Sequence, residues 1–277
     1  MIPQNFEYTA PRSLEEALQL LARENAKPLA GGMSLIPMMK LRFAAPDQIV
    51  DLGRVPGLNT IRDEAGQIHI GAMATHYQIE SSPLLRDRCP LLAETAAAIG
   101  DMQVRNMGTI GGSAAHADPA ADYPAALFAL EAKLTLAKAG GERTVPVEEF
   151  FVDTFTTALE PGEIVKEIAV PAEQAGTKTA YEKVSHPASG FAIAGIAIRA
   201  RKTGATFGWV RVGVTGVAGH AYRAKAVEDA LMSGASVEDA AAKIAEGVEA
   251  NADLYASADY RKHLARVHLR RALALLG

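Results

Sequence analysis

The chain has 277 residues, 49% of them apolar and 22% charged, and a net charge of -4. These values suit one large domain or about two to three small ones around a sizeable core, and the acidic balance, without any Lys/Arg run, excludes nucleic acid as a partner. No run of about 18 apolar residues occurs, so no membrane span is predicted, and the single cysteine, Cys89, excludes both an internal disulfide and an iron–sulfur cluster held by this chain. The opening Met1–Glu7 lacks the charged start and apolar run of a signal peptide, which makes the cytoplasm the expected location. Cys89, among Leu84, Leu85, Leu91 and Leu92, reads as a small buried hydrophobe.

Ser13 and Glu16 form a capping box ahead of Leu14, Ala17, Leu18 and Leu21 at helical spacing. Lys27-Pro28-Leu29-Ala30 leads into a first glycine cluster, and Gln48–Leu52 reads as a strand, closing an α/β unit of about 55 residues. Gln67–Ala72 alternates like a half-buried strand, and Thr75 is placed to cap the next helix. A helix is predicted over Leu91–Ile99, with Gly100 at its left-handed end. Gln103-Val104-Arg105-Asn106 leads into a second glycine cluster, and Asp122 is positioned to cap a helix with Pro124 in its first turn. Lys133–Leu136 and Arg143–Val147 read as a hairpin around Gly140-Gly141, followed by a strand over Glu163–Val170.

The last third changes character. Strands are predicted at Thr179–Val184, Phe191–Ala200 and Thr206–Val217, then helices at Ala224–Met232, Val237–Ala250 and Ala258–Leu276, with Ser236 and Ser257 as caps. Strands followed by helices predict an α+β module with helices on one face of an antiparallel sheet. The boundary falls near residue 175. It separates a module of residues 1–175, itself split into about 1–55 and 56–175, from a module of residues 176–277.

The chemistry concentrates in the two clusters, Ala30-Gly31-Gly32-Met33-Ser34 and Thr109-Ile110-Gly111-Gly112-Ser113. Bare backbone approaches an anion closely only where no Cβ intervenes. Neither cluster is a G-x-G-x-x-G dinucleotide fingerprint or a lysine-bearing phosphate loop. Two readings remain open: tight turns between elements, or two peptide loops cradling a diphosphate, with the Ser34 and Ser113 hydroxyls as extra donors. His116 and Asp118 lie near the second cluster without further metal ligands at a recognisable spacing. Arg261, Lys262, Arg266, Arg270 and Arg271 crowd the final helix and read as a solvated face or a docking surface for an acidic partner.

The stretches Ala30–Lys40, Gln103–Ser113 and Ala115–Asp122, with Tyr181-Glu182-Lys183, resemble the FAD-binding medium subunit of molybdenum hydroxylases, the carbon monoxide dehydrogenase and xanthine dehydrogenase group, over nearly the full chain. The resemblance implies an α+β fold: the FAD-binding fold of the vanillyl-alcohol oxidase (PCMH) type with two α+β subdomains, plus a C-terminal flavoprotein domain. It implies that Pro28, Leu29, Ala30, Gly31, Gly32, Met33, Ser34 and Leu35, together with Thr109, Ile110, Gly111, Gly112 and Ser113, wrap the diphosphate and ribityl chain of FAD. Ile99 would lie next to the cofactor, and Asp122 would hydrogen-bond the ribose or adenine end. Val165 would contribute a backbone or apolar contact, Lys183 would sit by the isoalloxazine ring, and Tyr181 would lie near that ring. Some relatives end the second cluster with Asn or Asp where this chain has Ser113, which still donates to phosphate.

The implied partners are a molybdenum–pterin large subunit and a small subunit with two [2Fe–2S] clusters, in a dimer of heterotrimers. Electrons would pass through FAD to a quinone, NAD or oxygen, and the large subunit would choose the substrate. A stand-alone flavin oxidase or dehydrogenase and a flavin-free scaffold are the competing readings.

Overall fold

In the computed structural model, residues 2–204 and 206–277 are described. The first layer comprises β1 (Glu7–Thr9), α1 (Leu14–Leu21), β2 (Ala26–Leu29), α2 (Leu35–Leu41) and β3 (Gln48–Asp51). The strands form a parallel sheet in the order β1-β3-β2. Ser13 caps α1 by accepting the Glu16 N–H at 3.1 Å. The Glu16 carboxylate reaches back to the N–H of Arg12 instead of Ser13, so only half of the expected reciprocal box forms. Ala17, Leu18 and Leu21 bury one face of α1 against Val50 and Leu52. Leu52, expected to extend the third strand, starts a 3-10 turn because the Asp51 side chain takes the N–H of Gly53.

The second layer is a five-stranded antiparallel sheet with helices on one face. Its elements are β4 (Ile61–Glu64), β5 (Gln67–Gly71), α3 (His76–Ser81), α4 (Pro83–Arg88), α5 (Pro90–Ala97), α6 (Met102–Met107), α7 (Ile110–His116), α8 (Tyr123–Ala129), β6 (Lys133–Lys138), β7 (Gly141–Pro146), α9 (Val147–Phe150), β8 (Phe151–Asp153), β9 (Thr156–Thr157) and β10 (Ile164–Pro171). The strand order is β4-β5-β10-β6-β7. Thr75 and Gln78 complete a capping box on α3. Alternation on the strands sends Ile68, Ile70, Leu134, Leu136, Ile168 and Val170 inward. Cys89 is fully buried there, and burial pushes its thiol up to about 12, so it packs as a hydrophobe.

The third unit is a four-stranded antiparallel sheet, β11 (Lys178–Ser185), β12 (Ala192–Thr203), β13 (Thr206–Thr215) and β14 (Tyr222–Arg223), with α10 (Lys225–Met232), α11 (Val237–Ala242) and α12 (Ala258–Leu275). Its own α10 and α12 pack on one face, as the element order predicts. The opposite face is also covered, by α5 and α8 of the second layer. That is why Ile196, Ala197 and Ile198 are buried in succession, without alternation. Helix α11 stops at Ala242 and not Ala250, because the chain continues in i to i−3 turns through Gly247 at φ +74°. On α12 the expected solvated face loses Arg261, whose buried guanidinium donates to the carbonyls of Ile193 and Gly216.

Candidate functional site

The first glycine cluster is the connection between β2 and α2, and Gly32 turns it at φ +74°. Among the described residues, the N–H groups of Gly31, Gly32, Met33, Ser34 and Leu35 meet no acceptor. Ser34 occupies the N-cap position of α2 without capping it, and its hydroxyl is unengaged among the described residues. The segment therefore presents a run of uncommitted donors and no negative side chain, the requirement for holding a polyanion by backbone.

The second cluster differs from the expected loop. Gly111 and Gly112 lie in the first turn of α7, and their N–H groups are committed, to the carbonyl of Ala72 at 2.9 Å and to the Thr109 hydroxyl at 3.1 Å. Ile110 and Ser113 donate to the carbonyls of Ala74 and Thr109. A Cβ at Gly111 would overlap Ala72, so this glycine is dictated by helix–strand packing before any ligand is considered. What the second cluster leaves uncommitted is the half-buried Ser113 hydroxyl. The two clusters nevertheless meet. A Cβ at Gly31 would overlap the Met107 carbonyl, and one at Gly112 would lie 3.7 Å from the Cβ of Ala30. Pro28 and Leu29 end β2 at the edge of this junction, and Met33 and Leu35 lead from it into α2.

Asp122 holds a second concentration of polar groups. It occupies the N-cap position of α8, but its backbone is already helical (φ -77°, ψ -46°) and its side chain caps nothing, contrary to the sequence reading. Instead Asp122 Oδ1 accepts the Tyr181 hydroxyl at 2.5 Å and pairs with Lys183 Nζ at 2.8 Å. Alternation on β11 puts Tyr181 and Lys183 on the same face, while Glu182 faces α12 and His268. The Asp122 and Lys183 side chains are only 4% and 7% exposed, which makes this a buried pair. Burial pushes the Asp122 carboxyl up; Lys183 and the Tyr181 hydrogen bond oppose that. Burial, with Asp122 alongside, drives the Tyr181 phenol well above its ordinary range. Lys183 also donates to the carbonyl of Gly190 at 2.8 Å, and Gly190 abuts Gly100, next to Ile99. Asp122, Tyr181 and Lys183 are thus brought together, with Ile99 preceding the Gly100 that Gly190 abuts.

Val165 is not exposed at either place. It is 4% exposed within the core of the second layer, beside a bulge in the β10–β6 pairing. Its neighbour Lys166 accepts the N–H of Ala72, whose carbonyl holds Gly111, so β10 backs the second cluster through one intervening residue. His116 packs on Phe155, and Asp118 accepts the N–H of Ala120.

Sequence reasoning missed three features. Arg105 bridges Glu80, at 2.9 Å, and the Ile99 carbonyl, at 3.1 Å; its signal was a lone cation inside an otherwise uncharged motif. His76 and Tyr123, their rings 5.2 Å apart, leave Nδ1 and the phenol oxygen buried without partners among the described residues, and burial holds the imidazole down at about 4. Four successive residues, Pro119 to Asp122, are gripped by the third unit. Gly216 N–H and the Thr215 hydroxyl bond the Pro119 carbonyl, Ala192 N–H bonds Ala120, Thr215 also reaches Ala121, and Tyr181 and Lys183 take Asp122.

An uncommitted backbone donor run against a glycine-lined junction, with a buried Asp–Lys pair where the third unit meets the second layer, fits a flavin-nucleotide-binding protein assembled from two α+β subdomains and a C-terminal sheet. A family model described as the FAD binding domain in molybdopterin dehydrogenase matches residues 4–173, and one described as the CO dehydrogenase flavoprotein C-terminal domain matches residues 179–276. The chain belongs to the family of FAD-binding medium subunits of carbon monoxide dehydrogenase-like molybdenum hydroxylases. It is 45% identical to the carbon monoxide dehydrogenase medium chain of Hydrogenophaga pseudoflava, across 99% of this chain and 97% of that protein. It is 38% identical to the glyceraldehyde dehydrogenase medium chain of Sulfolobus acidocaldarius, across 98% of each. Among solved structures, it is similar to carbon monoxide dehydrogenase from Hydrogenophaga pseudoflava lacking the Mo-pyranopterin moiety (TM-score 0.94, 46% identity, 99% and 98% of the chains). It is also similar to quinoline 2-oxidoreductase from Pseudomonas putida 86 (TM-score 0.94, 30% identity, 100% and 98%). The cofactor is FAD, and the chain is an oxidoreductase component. No helix among the described residues is long and apolar enough to cross a membrane.

Proposed function

We propose that this chain is the electron-relay subunit of a molybdenum hydroxylase: it holds FAD between the iron–sulfur clusters of a small subunit and an external acceptor, a quinone, NAD or oxygen. A large molybdenum–pterin subunit would oxidise the substrate, and two such heterotrimers would pair. FAD supplies a carrier that accepts electrons singly or in pairs and releases them in either way.

The donor run carries the reading. Five N–H groups from Gly31 to Leu35 without acceptors among the described residues suit a diphosphate, with the Ser34 and Ser113 hydroxyls completing the set. Pro28, Leu29 and Ala30 would form the near wall and Thr109–Gly112 the far one. The 2.8 Å between Asp122 and Lys183 bears on their roles. The adenine and isoalloxazine ends of FAD are separated by the diphosphate and the ribityl chain, so one contact pair serves one end. We assign both residues, with Ile99, to the isoalloxazine end, which revises the ribose or adenine role expected for Asp122. Lys183 uses two of its three N–H donors, on Asp122 Oδ1 and Gly190, and Asp122 Oδ2 accepts neither Tyr181 nor Lys183. One donor beside one acceptor matches the imide edge of the ring, an N–H flanked by carbonyls. Val165 supports the far wall from behind.

Purified protein supplied with FAD should turn yellow and stay yellow through gel filtration. Coexpression with candidate large and small subunits should return a complex containing molybdenum and iron, whose flavin is reduced by substrate. A chain that remains colourless after FAD treatment would overturn the cofactor site. A yellow chain that oxidises substrate by itself, without partners, would overturn the relay role.

A further inference from the structure

We infer that Tyr181 is a positioning residue of the FAD site: it does not touch the cofactor, but its phenol fixes the Asp122 carboxylate that aims the Lys183 ammonium. The inference rests on the assignment of Asp122 and Lys183 to FAD. A phenol has one proton to donate, and Tyr181 spends it on Asp122 Oδ1 at 2.5 Å. Its ring packs against the hydrophobic core of the second layer. Lys183 sits on the same Oδ1, and the two donors together leave Oδ2 clear.

Gly195 supplies an independent observation. It pairs with Lys183 across the β11–β12 ladder, and a Cβ there would lie 2.8 Å from the Tyr181 hydroxyl oxygen and 2.9 Å from Thr215 Cγ2. The phenol occupies its place because residue 195 has no side chain. A carboxylate buried to this degree stays ionised only while its donors remain. Once Asp122 takes a proton, it ceases to accept through both oxygens, and Lys183 is left without a counter-charge. The ionisable groups around Asp122 are Lys183 and Tyr181 from β11, Tyr123 beside it on α8, and Glu94 on α5, which faces the Tyr181 backbone. Glu80 on α3, paired with Arg105, lies beyond Tyr123.

The test is FAD affinity of the purified full chain, measured by flavin fluorescence from pH 5 to pH 8, in wild type, Tyr181→Phe and Gly195→Ala. At pH 8 each variant should bind FAD within about threefold of wild type, because no direct contact has been removed. On acidification, the midpoint at which affinity is lost should lie about one to two pH units higher in both variants, the displacement expected for losing a charge-assisted hydrogen bond to a carboxylate. Gly195→Ala retains the phenol and keeps the test open if Tyr181→Phe fails to fold, as judged by thermal melting of the FAD-free chain. Midpoints coinciding with wild type in the folded variants would overturn the inference. So would an equal loss of affinity at every pH, the mark of a direct contact. A wild-type chain that binds no FAD at any pH would remove the cofactor site itself, and this inference with it.

Discussion

Gly31-Gly32 and Gly111-Gly112 share a dipeptide and a following Ser or Met-Ser, yet they differ in what their backbones offer. The first pair bends an open connection, leaves its N–H groups without acceptors among the described residues and uses φ +74° at Gly32. The second begins a helix, spends its N–H groups on Thr109 and Ala72, and is glycine because Ala72 leaves no room. One glycine pair leaves its backbone donors open, whereas the other lets a helix lie against a strand. A glycine pair in a sequence reports close approach, and only the hydrogen-bond accounting shows what is approached.

The comparison can be broken most severely at Gly111. Gly111→Ala forces a methyl into Ala72 and should cost about 3 kcal/mol, read in a denaturant titration of the FAD-free chain; unchanged stability would remove the packing role. Next comes acid. His76, whose N–H holds the Gly108 carbonyl behind the second segment, has its imidazole lowered from 6.5 to about 4 by burial, with the charge of Arg105 adding to the effect. Its folded form binds fewer protons than the unfolded chain between those values, so this contribution is intact above 6.5 and is lost as pH falls towards 4. It amounts to about 3 kcal/mol. His76→Phe should flatten the pH–stability curve in that window, and a slope identical to wild type would contradict the assignment. Thr109→Ala deletes the cap on α7 and should cost about 1 kcal/mol in the same titration. Ser34→Ala should leave stability within about 0.5 kcal/mol, since the hydroxyl caps nothing. It should, however, weaken FAD binding roughly three- to tenfold by fluorescence titration. If Ser34→Ala destabilises the apo chain as much as Thr109→Ala does, the two segments are not different in kind.

Much of the fold was legible because local signals agreed with tertiary demands. Ser13, Thr75, Ser236 and Ser257 cap where their side chains and following residues say they should. The three long strands of the last unit and their hairpin order follow from turn residues and apolar runs. The short α11 was not legible, because Gly247 at positive φ breaks a run whose alanines and valine keep helical composition. Arg261 was misread as solvated because nothing local announces that two carbonyls from strand ends 45 and 68 residues away will take its guanidinium. At the candidate site, the motifs marked both glycine clusters as places of close approach but not the difference in what their backbones offer. The Asp122 carboxylate looked like a cap because its true partners, Tyr181 and Lys183, lie about sixty residues downstream.

The grip on Pro119 to Asp122 also sets an order of events. Its donors come from Tyr181, Lys183, Ala192, Thr215 and Gly216, the farthest, Gly216, bonding Pro119 from 97 residues along the chain. On a ribosome adding about 5 to 20 residues per second, the peptide around Asp122 waits roughly 5 to 20 s before the last of those donors is even synthesised. The open donor run after β2 and the glycine junction are made from earlier chain. The open donor run is therefore complete before the Asp122–Lys183 pair can close, and a nascent chain passes through a half-built stage in which those backbone donors are in place while the Asp122 carboxylate still lacks its ammonium partner.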